Sequence, residues 1–329
     1  MPPIHTDPSH RPAASTPTPL PPLKTTGQEP APPKVIPTAA MAMARSGFRR
    51  YPREIMGSIR RAIAAHAVEP MLVAHEPLLA SPLAASWLGH ASILIRHAGK
   101  TILTDPVFSQ RIGVNVGIYT FGVQRRLPTI NPAALPPIDL ILLSHAHFDH
   151  LDRPTLRALA NPNTTIVTAR NTTPLIPKGF GPIIELDWGK SVRLETLTIH
   201  AVPTRHWGAR TIWDRHRGHN AYLLEDANHK VLFAGDTALS DTFRGIGGTD
   251  LSIFGIGAYD PWIAKHASPE QVWEMNDDAG GKFLMPMHHS TFELSDEPFG
   301  EPLERLLRIA GDDQDRVIGR DFASIWTKP

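Results

Sequence analysis

Leu143-Ser144-His145-Ala146-His147-Phe148-Asp149-His150-Leu151-Asp152 is the stretch on which the reading of this chain turns. It follows an apolar run, Ile138-Asp139-Leu140-Ile141-Leu142-Leu143, which reads as a buried strand. His145, His147, Asp149 and His150 then place four metal-competent side chains within six residues. Neutral imidazole and carboxylate are donors for zinc and similar first-row metals. A strand that ends in a loop of such donors sets them at the rim of a sheet, where a substrate can reach them. Isolated core or surface histidines are common, but packing does not account for this density with an interleaved Asp. The chain has no Cys, and structural zinc sites usually use thiolates, so a catalytic site is the better fit. The helical His-Glu-x-x-His pattern is absent.

Working outward, the 329 residues suffice for one large domain or two ordinary ones. A formal charge of +1 exerts no global pull toward nucleic acid. Without Cys there are no disulfides, and the fold must rest on its core. No apolar stretch approaches the length of a membrane span, and the N-terminus lacks the apolar segment of a secretory signal. Arg49-Arg50 is followed by polar Tyr51-Pro52-Arg53-Glu54, which speaks against a twin-arginine signal. A cytoplasmic protein, with peripheral membrane contact as an option, is expected.

Residues 1–45 are rich in Pro, Thr, Ser and Ala, as in Pro17-Thr18-Pro19-Leu20-Pro21-Pro22, and are expected to be a disordered tail. Met41 and Met43 are alternative start sites. Residues 46–85 are expected to be a basic helix and linker. Ile55, Ile59 and Ile63 share one face of a helix over 53–66, with Arg53, Arg60 and Arg61 elsewhere and Arg45, Arg49 and Arg50 ahead of it. The plain reading is a surface helix packed on the domain; the sharper one is an element lying on a membrane surface. Residues 68–85, with Pro70, Pro77 and Pro82, read as a link. From Ser86 the pattern is strand-rich, and 86–329 is expected to be the catalytic domain. Residues 92–95 and 101–104 flank a hairpin turn at His97-Ala98-Gly99-Lys100. Strands are expected at 138–143, 164–168, 191–202, 220–224, 230–233 and 251–256, and helices at 269–279 and 302–310. Asp152-Arg153-Pro154 reads as a helix start capped by Asp152. The alternation suggests sheets covered by helices, an α/β or α+β layered domain. There is no Walker loop and no dinucleotide-binding glycine pattern.

A zinc pair needs more donors than the first run offers. His206 follows one predicted strand, Asp236 ends another after Gly235, and His288 and His289 follow a third. Taken alone, each could be a turn Asp or a satisfied histidine. Together they all lie at strand ends, which favours a shared rim.

These segments are similar to the metallo-β-lactamase superfamily and, within it, to the N-acyl phosphatidylethanolamine-hydrolysing phospholipase D group. The superfamily motif is matched by His145, His147, Asp149, His150, His206, Asp236 and His288. The narrower resemblance rests on Trp87-Leu88-Gly89-His90-Ala91, Leu103-Thr104-Asp105-Pro106-Val107-Phe108 and residues 144–152. It continues through Glu185-Leu186-Asp187-Trp188, Arg205-His206-Trp207, Phe233-Ala234-Gly235-Asp236-Thr237 and Gly255-Ile256-Gly257-Ala258-Tyr259. It covers roughly 86–310. The resemblance implies an αββα sandwich with two zinc ions at one edge. His145, His147 and His206 would hold one ion, Asp149, His150 and His288 the other, and Asp236 would bridge them. His289 would be a neighbour, a choice the sequence alone does not make. Asp105 would orient the ligand loop. His266 matches a histidine bordering the site, expected as a positioning or acid group; its plain alternative is a surface histidine before a helix.

Two zinc ions about 3.5–4 Å apart can hold a shared hydroxide and clamp phosphodiester oxygens. The resemblance therefore implies a phospholipase D-type phosphodiesterase releasing an N-acylethanolamine and phosphatidic acid, with Asp149 and His266 acting in catalysis. The runner-up is a lactonase or other carboxyl-ester hydrolase using the same site. Two departures bear on substrate: a shortened Tyr259–Lys265 segment, and His289-Ser290 where the group often has Trp-Gly. A nuclease is disfavoured because His206, Asp236 and His288 are too close together to admit an inserted domain. A β-lactamase, or a metal-loaded binding module without activity, fits less well. The expected partner is a phospholipid or another small ester, and oligomeric state is left open.

Overall fold

Continuous apolar strands need cover on both faces, and here they receive it. The computed structural model describes residues 75–329 apart from 117–118 and 212–213. The expected proline-rich tail and the basic helix over 53–66 lie outside the described residues. The chain order begins with α1 (Glu76–Ala80), β1 (Leu83–Trp87), β2 (Ile93–His97), β3 (Lys100–Thr104), β4 (Arg111–Val116), β5 (Tyr119–Gln124) and β6 (Leu140–Leu143). Then come α2 (Arg153–Ala158), β7 (Thr165–Ala169), β8 (Ile183–Leu186), β9 (Ser191–Leu194), β10 (Leu197–Val202), β11 (Ala221–Glu225) and β12 (Lys230–Phe233). The chain closes with β13 (Thr249–Gly255), α3 (Pro269–Asp278), β14 (Gly281–Met287), α4 (Glu301–Ala310) and β15 (Ile325–Thr327).

Two sheets result. One has seven strands in the order β15-β1-β2-β3-β6-β7-β8; the other has six in the order β14-β13-β12-β11-β10-β9. Side chains alternate across each strand. In β6, Leu140 and Leu142 point between the sheets, whereas Ile141 and Leu143 point to the outer layer with Leu78 of α1 and Leu156 of α2. In the second sheet Tyr222, Leu224, Leu251 and Ile253 face the shared core. Leu223 and Phe254 face outward against Val272 and Met275 of α3 and Leu306 of α4. The layers are therefore α, β, β, α, as expected.

α3 is well specified by its sequence. Ser268 accepts from the Gln271 amide, the Gln271 side chain reaches back to the Ser268 amide, and Pro269 occupies the first turn. Other expectations shift. The segment read as a link up to residue 85 already contributes α1 and the start of β1, Leu83–Ala85, because burial of Leu78, Leu83 and Ala84 fixes it. The single strand over 191–202 is a hairpin, turning at Glu195, which takes a positive φ of 58°. Asp152 does occupy the cap position of α2, but its carboxylate accepts from the Thr155 and Ser109 hydroxyls instead of a backbone amide. The β4–β5 hairpin, a separate two-stranded sheet, and the short edge strand β15 were not anticipated.

Strand direction decides where the chemistry lies. β3, β6 and β7 run parallel, and so do β12, β13 and β14. β1 and β10 each share that direction through an intervening antiparallel partner. The loops after β1, β3, β6, β10, β12 and β14 thus leave the sandwich at one rim, the position where α/β sheets present their sites.

Candidate metal centre

Each of these loops delivers a polar side chain to the same place. His90 comes from the β1–β2 turn, Asp105 follows β3, and the histidine-rich run follows β6. His206 comes after β10, Asp236 after β12 and His288 after β14. His145 Nε2 lies 2.8 Å from His147 Nδ1, and His206 Nε2 lies 3.3 Å from that same atom. Asp149 Oδ2 lies 3.3 Å from His288 Nε2 and 3.6 Å from His150 Nε2. Between these groups stands Asp236 Oδ2, at 3.1 Å from His150, 3.3 Å from His288, 3.7 Å from His206 and 3.8 Å from His145. The structure therefore gathers all seven of the expected donors. His266 borders them, with Nδ1 3.8 Å from Asp236 Oδ2.

The loop backbone is shaped to allow this. Gly235 takes a φ of 57°, and a Cβ there would meet the Ser144 side chain at 2.9 Å. A Cβ on Gly257 would meet the His288 carbonyl oxygen at 2.3 Å. His288 and His289 diverge: His288 turns into the cluster, whereas His289 stacks on Trp87 with ring centres 4.6 Å apart. His289 thus packs beside the cluster.

A further set of bonds aims the rings. His150 Nδ1 donates to Asp105 Oδ2 at 2.7 Å, the Ser144 amide donates to Asp105 Oδ1 at 2.7 Å, and His145 Nδ1 donates to Ser144 Oγ at 2.9 Å. His206 Nδ1 donates to the Lys265 carbonyl at 3.1 Å. Fixing one ring nitrogen in this way points the other inward, the arrangement that surrounds metal-binding imidazoles.

A divalent cation suits this arrangement. His150 Nε2, His288 Nε2 and both carboxylate oxygens of Asp236 are buried without a hydrogen-bond partner. With Nδ1 of His145, His150 and His206 engaged elsewhere, their Nε2 atoms turn lone pairs inward, and a cation at their centre satisfies them. Charge tells the same story. Burial opposes ionisation of Asp149 and Asp236, but the neighbouring histidines, His150 foremost, hold both well below the usual carboxylate range. Burial likewise opposes charge on His288, yet Asp236 and Asp149 push it up to about 9, and His150 is raised by Asp236, Asp149 and Asp105. Burial lowers His147 and His266 to about 4 and carries His145 and His206 well below the usual imidazole value.

Two contributors escaped sequence reasoning. His90 Nε2 lies 2.9 Å from Asp149 Oδ2, and only its presence in a resembled segment marked it. Arg125 is 3% exposed and donates to the carbonyls of Val107 and Leu88, each at 2.8 Å, binding the Asp105 and His90 loops together. No local pattern announced it.

Residues 100–289 match the beta-lactamase superfamily domain, and the chain belongs to this superfamily of metallo-hydrolases. An uncharacterised protein of Mycobacterium tuberculosis is 36% identical, over 70% of this chain and 65% of that one, so the match spans just under two thirds of that relative. The N-acyl-phosphatidylethanolamine-hydrolyzing phospholipase D 1 of Caenorhabditis elegans is 29% identical, over 75% of this chain and 76% of that one. Among solved structures, a possible metal-dependent hydrolase from Veillonella parvula aligns with a TM-score of 0.59 and 13% identity, covering 75% of this chain and 100% of that one, a likeness of fold.

Proposed function

We propose that this protein is a dinuclear zinc phosphodiesterase of the phospholipase D type, cleaving N-acyl phosphatidylethanolamine to an N-acylethanolamine and phosphatidic acid. The observation that carries the reading is Asp236 Oδ2, set 3.1–3.8 Å from histidines of both donor groups, as a bridging ligand would be. His145, His147 and His206 would hold one ion, and Asp149, His150 and His288 the other. Such a pair, when bound, supplies activated water near neutral pH and compensates charge on phosphate oxygens. The similarity to the Caenorhabditis elegans phospholipase supports the substrate class.

The remaining work falls to the chain itself. Asp105, Ser144 and the Lys265 carbonyl orient the imidazoles. His266, lowered to about 4 by burial, is neutral at pH 7 and serves to position a substrate oxygen by hydrogen bonding, in preference to resting as a charged acid. Trp207 and Ile263, each 47% exposed, sit on the loops that carry His206 and His266 and suit peripheral contact with a lipid surface. No nucleic-acid partner is proposed, in keeping with a net charge of +1.

One observation favours the second reading, a lactonase or other carboxyl-ester hydrolase. The cavity beside His288, walled by Phe292, Leu294 and Phe299, holds about 280 Å³, small for a diacyl lipid. Turnover of N-acyl phosphatidylethanolamine in mixed micelles by the zinc-loaded protein, with metal content measured on the same sample, separates the two. Ethanolamide release that disappears in Asp236→Ala is the expected result. Two zinc ions per chain with no lipid turnover but hydrolysis of lactones would move the assignment to the second reading.

A further inference from the structure

The far rim of the sandwich holds another group of donors. β2 and β11 run opposite to their sheet neighbours, so their C-terminal ends point away from the centre described above. His97 ends β2. Asp226 and His229 lie in the turn between β11 and β12. Alternation puts His97 in the row of Ile93 and Ile95, both of which face the core between the sheets, and Asp226 in the row of Tyr222 and Leu224, which face it from the other side. An aliphatic side chain would suit the position of His97. An imidazole stands there instead, with no exposed surface; its ring nitrogens make no hydrogen bond of good geometry, and their polar neighbours are the Asp226 carboxylate and the His229 backbone.

His97 Nε2 lies 3.7 Å from Asp226 Oδ1, and His229 Nδ1 lies 3.8 Å from the same oxygen. These separations are too long for hydrogen bonds. They match the longer spacings around Asp236, where His206 and His145 stand at 3.7 and 3.8 Å. Donors about 2.0–2.2 Å from one zinc ion lie about 3.3–3.5 Å apart, so small side-chain rotations would close the set. Asp226 Oδ1 accepts from the amides of Asn228 at 2.8 Å and His229 at 2.7 Å, which holds the carboxylate in place and leaves Oδ2 free of these bonds to meet an ion.

We propose that His97, Asp226 and His229 form a second, separate site for a divalent first-row cation of the zinc type, clamping the two sheets together at the rim opposite the catalytic one. A buried imidazole without a hydrogen bond of good geometry is costly, and a bound ion would take up its lone-pair nitrogen. Burial also holds His97 below the usual imidazole value, in the neutral form that binds metal. The Asp226 and His229 side chains are 11% and 13% exposed, so water can reach the cluster and complete a four-coordinate shell. The role is structural, because the three donors join the end of β2 in one sheet to the β11–β12 turn of the other.

Two measurements on the full-length protein test this, and neither depends on the substrate assigned above. Crystals soaked in Zn²⁺ and measured on both sides of the zinc absorption edge should show an anomalous peak between the three side chains. Dialysed, zinc-loaded His229→Ala should carry about one ion per chain fewer than wild type, with the ions of the catalytic site retained. His229 lies at the edge of the cluster, so this variant folds where a change at buried His97 could fail to. Equal zinc content in wild type and His229→Ala, or no peak at this position, would overturn the proposal and leave a neutral, buried His97 beside Asp226.

Discussion

Asp105 shows how much of the metal centre is built by residues that touch no substrate. It is fully buried, and burial raises its pKa, yet it accepts from the His150 ring and the Ser144 amide. Asp105→Asn keeps the shape but weakens the grip on His150, and metal affinity should fall about 10–100-fold, measured by competition with a chelator. Protons compete with the metal for the same atoms. His288 is raised to about 9 and His150 lies well above the usual imidazole value, so both carry protons at pH 7 that a cation must displace. Affinity should therefore strengthen as pH rises from 6 toward about 9, with proton release on binding; calorimetry in buffers of different ionisation enthalpy reads both. An affinity independent of pH would contradict this charge assignment. At this scale the sequence was most legible where donors crowd together. His145, His147, Asp149 and His150 declare themselves by spacing. His90 does not, because its partner Asp149 is 59 residues away and its own neighbours are apolar or glycine.

The strands supply the rigidity that side chains of this density require. Leu142 sits in the core between the sheets, two residues before Ser144 and in register with Thr104 of β3 and Val167 of β7. Leu142→Ala should cost about 2–5 kcal/mol in urea unfolding, with activity per folded molecule largely retained. A cost well below that range would mean the core collapses around the cavity. Elements legible in the sequence are those with an internal cause. β6 is a continuous apolar run, β12 is one after Lys230, and α3 carries its own capping box. β4 and β5 were missed because Gly113 and Gly122 interrupt their alternation, and in the structure these glycines pair with each other across the hairpin. β15 is three residues long and is defined by pairing with β1.

Segments far apart in sequence are tied by charge. Asp250, at the start of β13, accepts from Lys328 at 2.8 Å, from Lys282 at 3.0 Å and from the Lys230 amide at 3.0 Å. Burial would raise its pKa, but Lys328, Lys282 and the Lys230 amide outweigh burial and hold it below the usual carboxylate range. A depressed carboxylate stabilises the fold above its ordinary value of about 3.9 and loses that contribution as pH falls through the depressed value. Asp250→Asn should thus cost about 1 kcal/mol at pH 7, since the lysines are partly exposed, and the difference from wild type should shrink below about pH 3. Thermal unfolding of both proteins across that range checks the sign. The sequence by itself determined the layered class, most strands and helices, and the donors at their ends, because periodicity, capping and residue chemistry are local properties. Only the tertiary structure decided that Asp236 stands between two donor groups, that His90 and Arg125 join them, and that His97 meets Asp226 at the opposite rim. Those relations depend on strand order and direction in two packed sheets, which bring together residues that no local pattern connects.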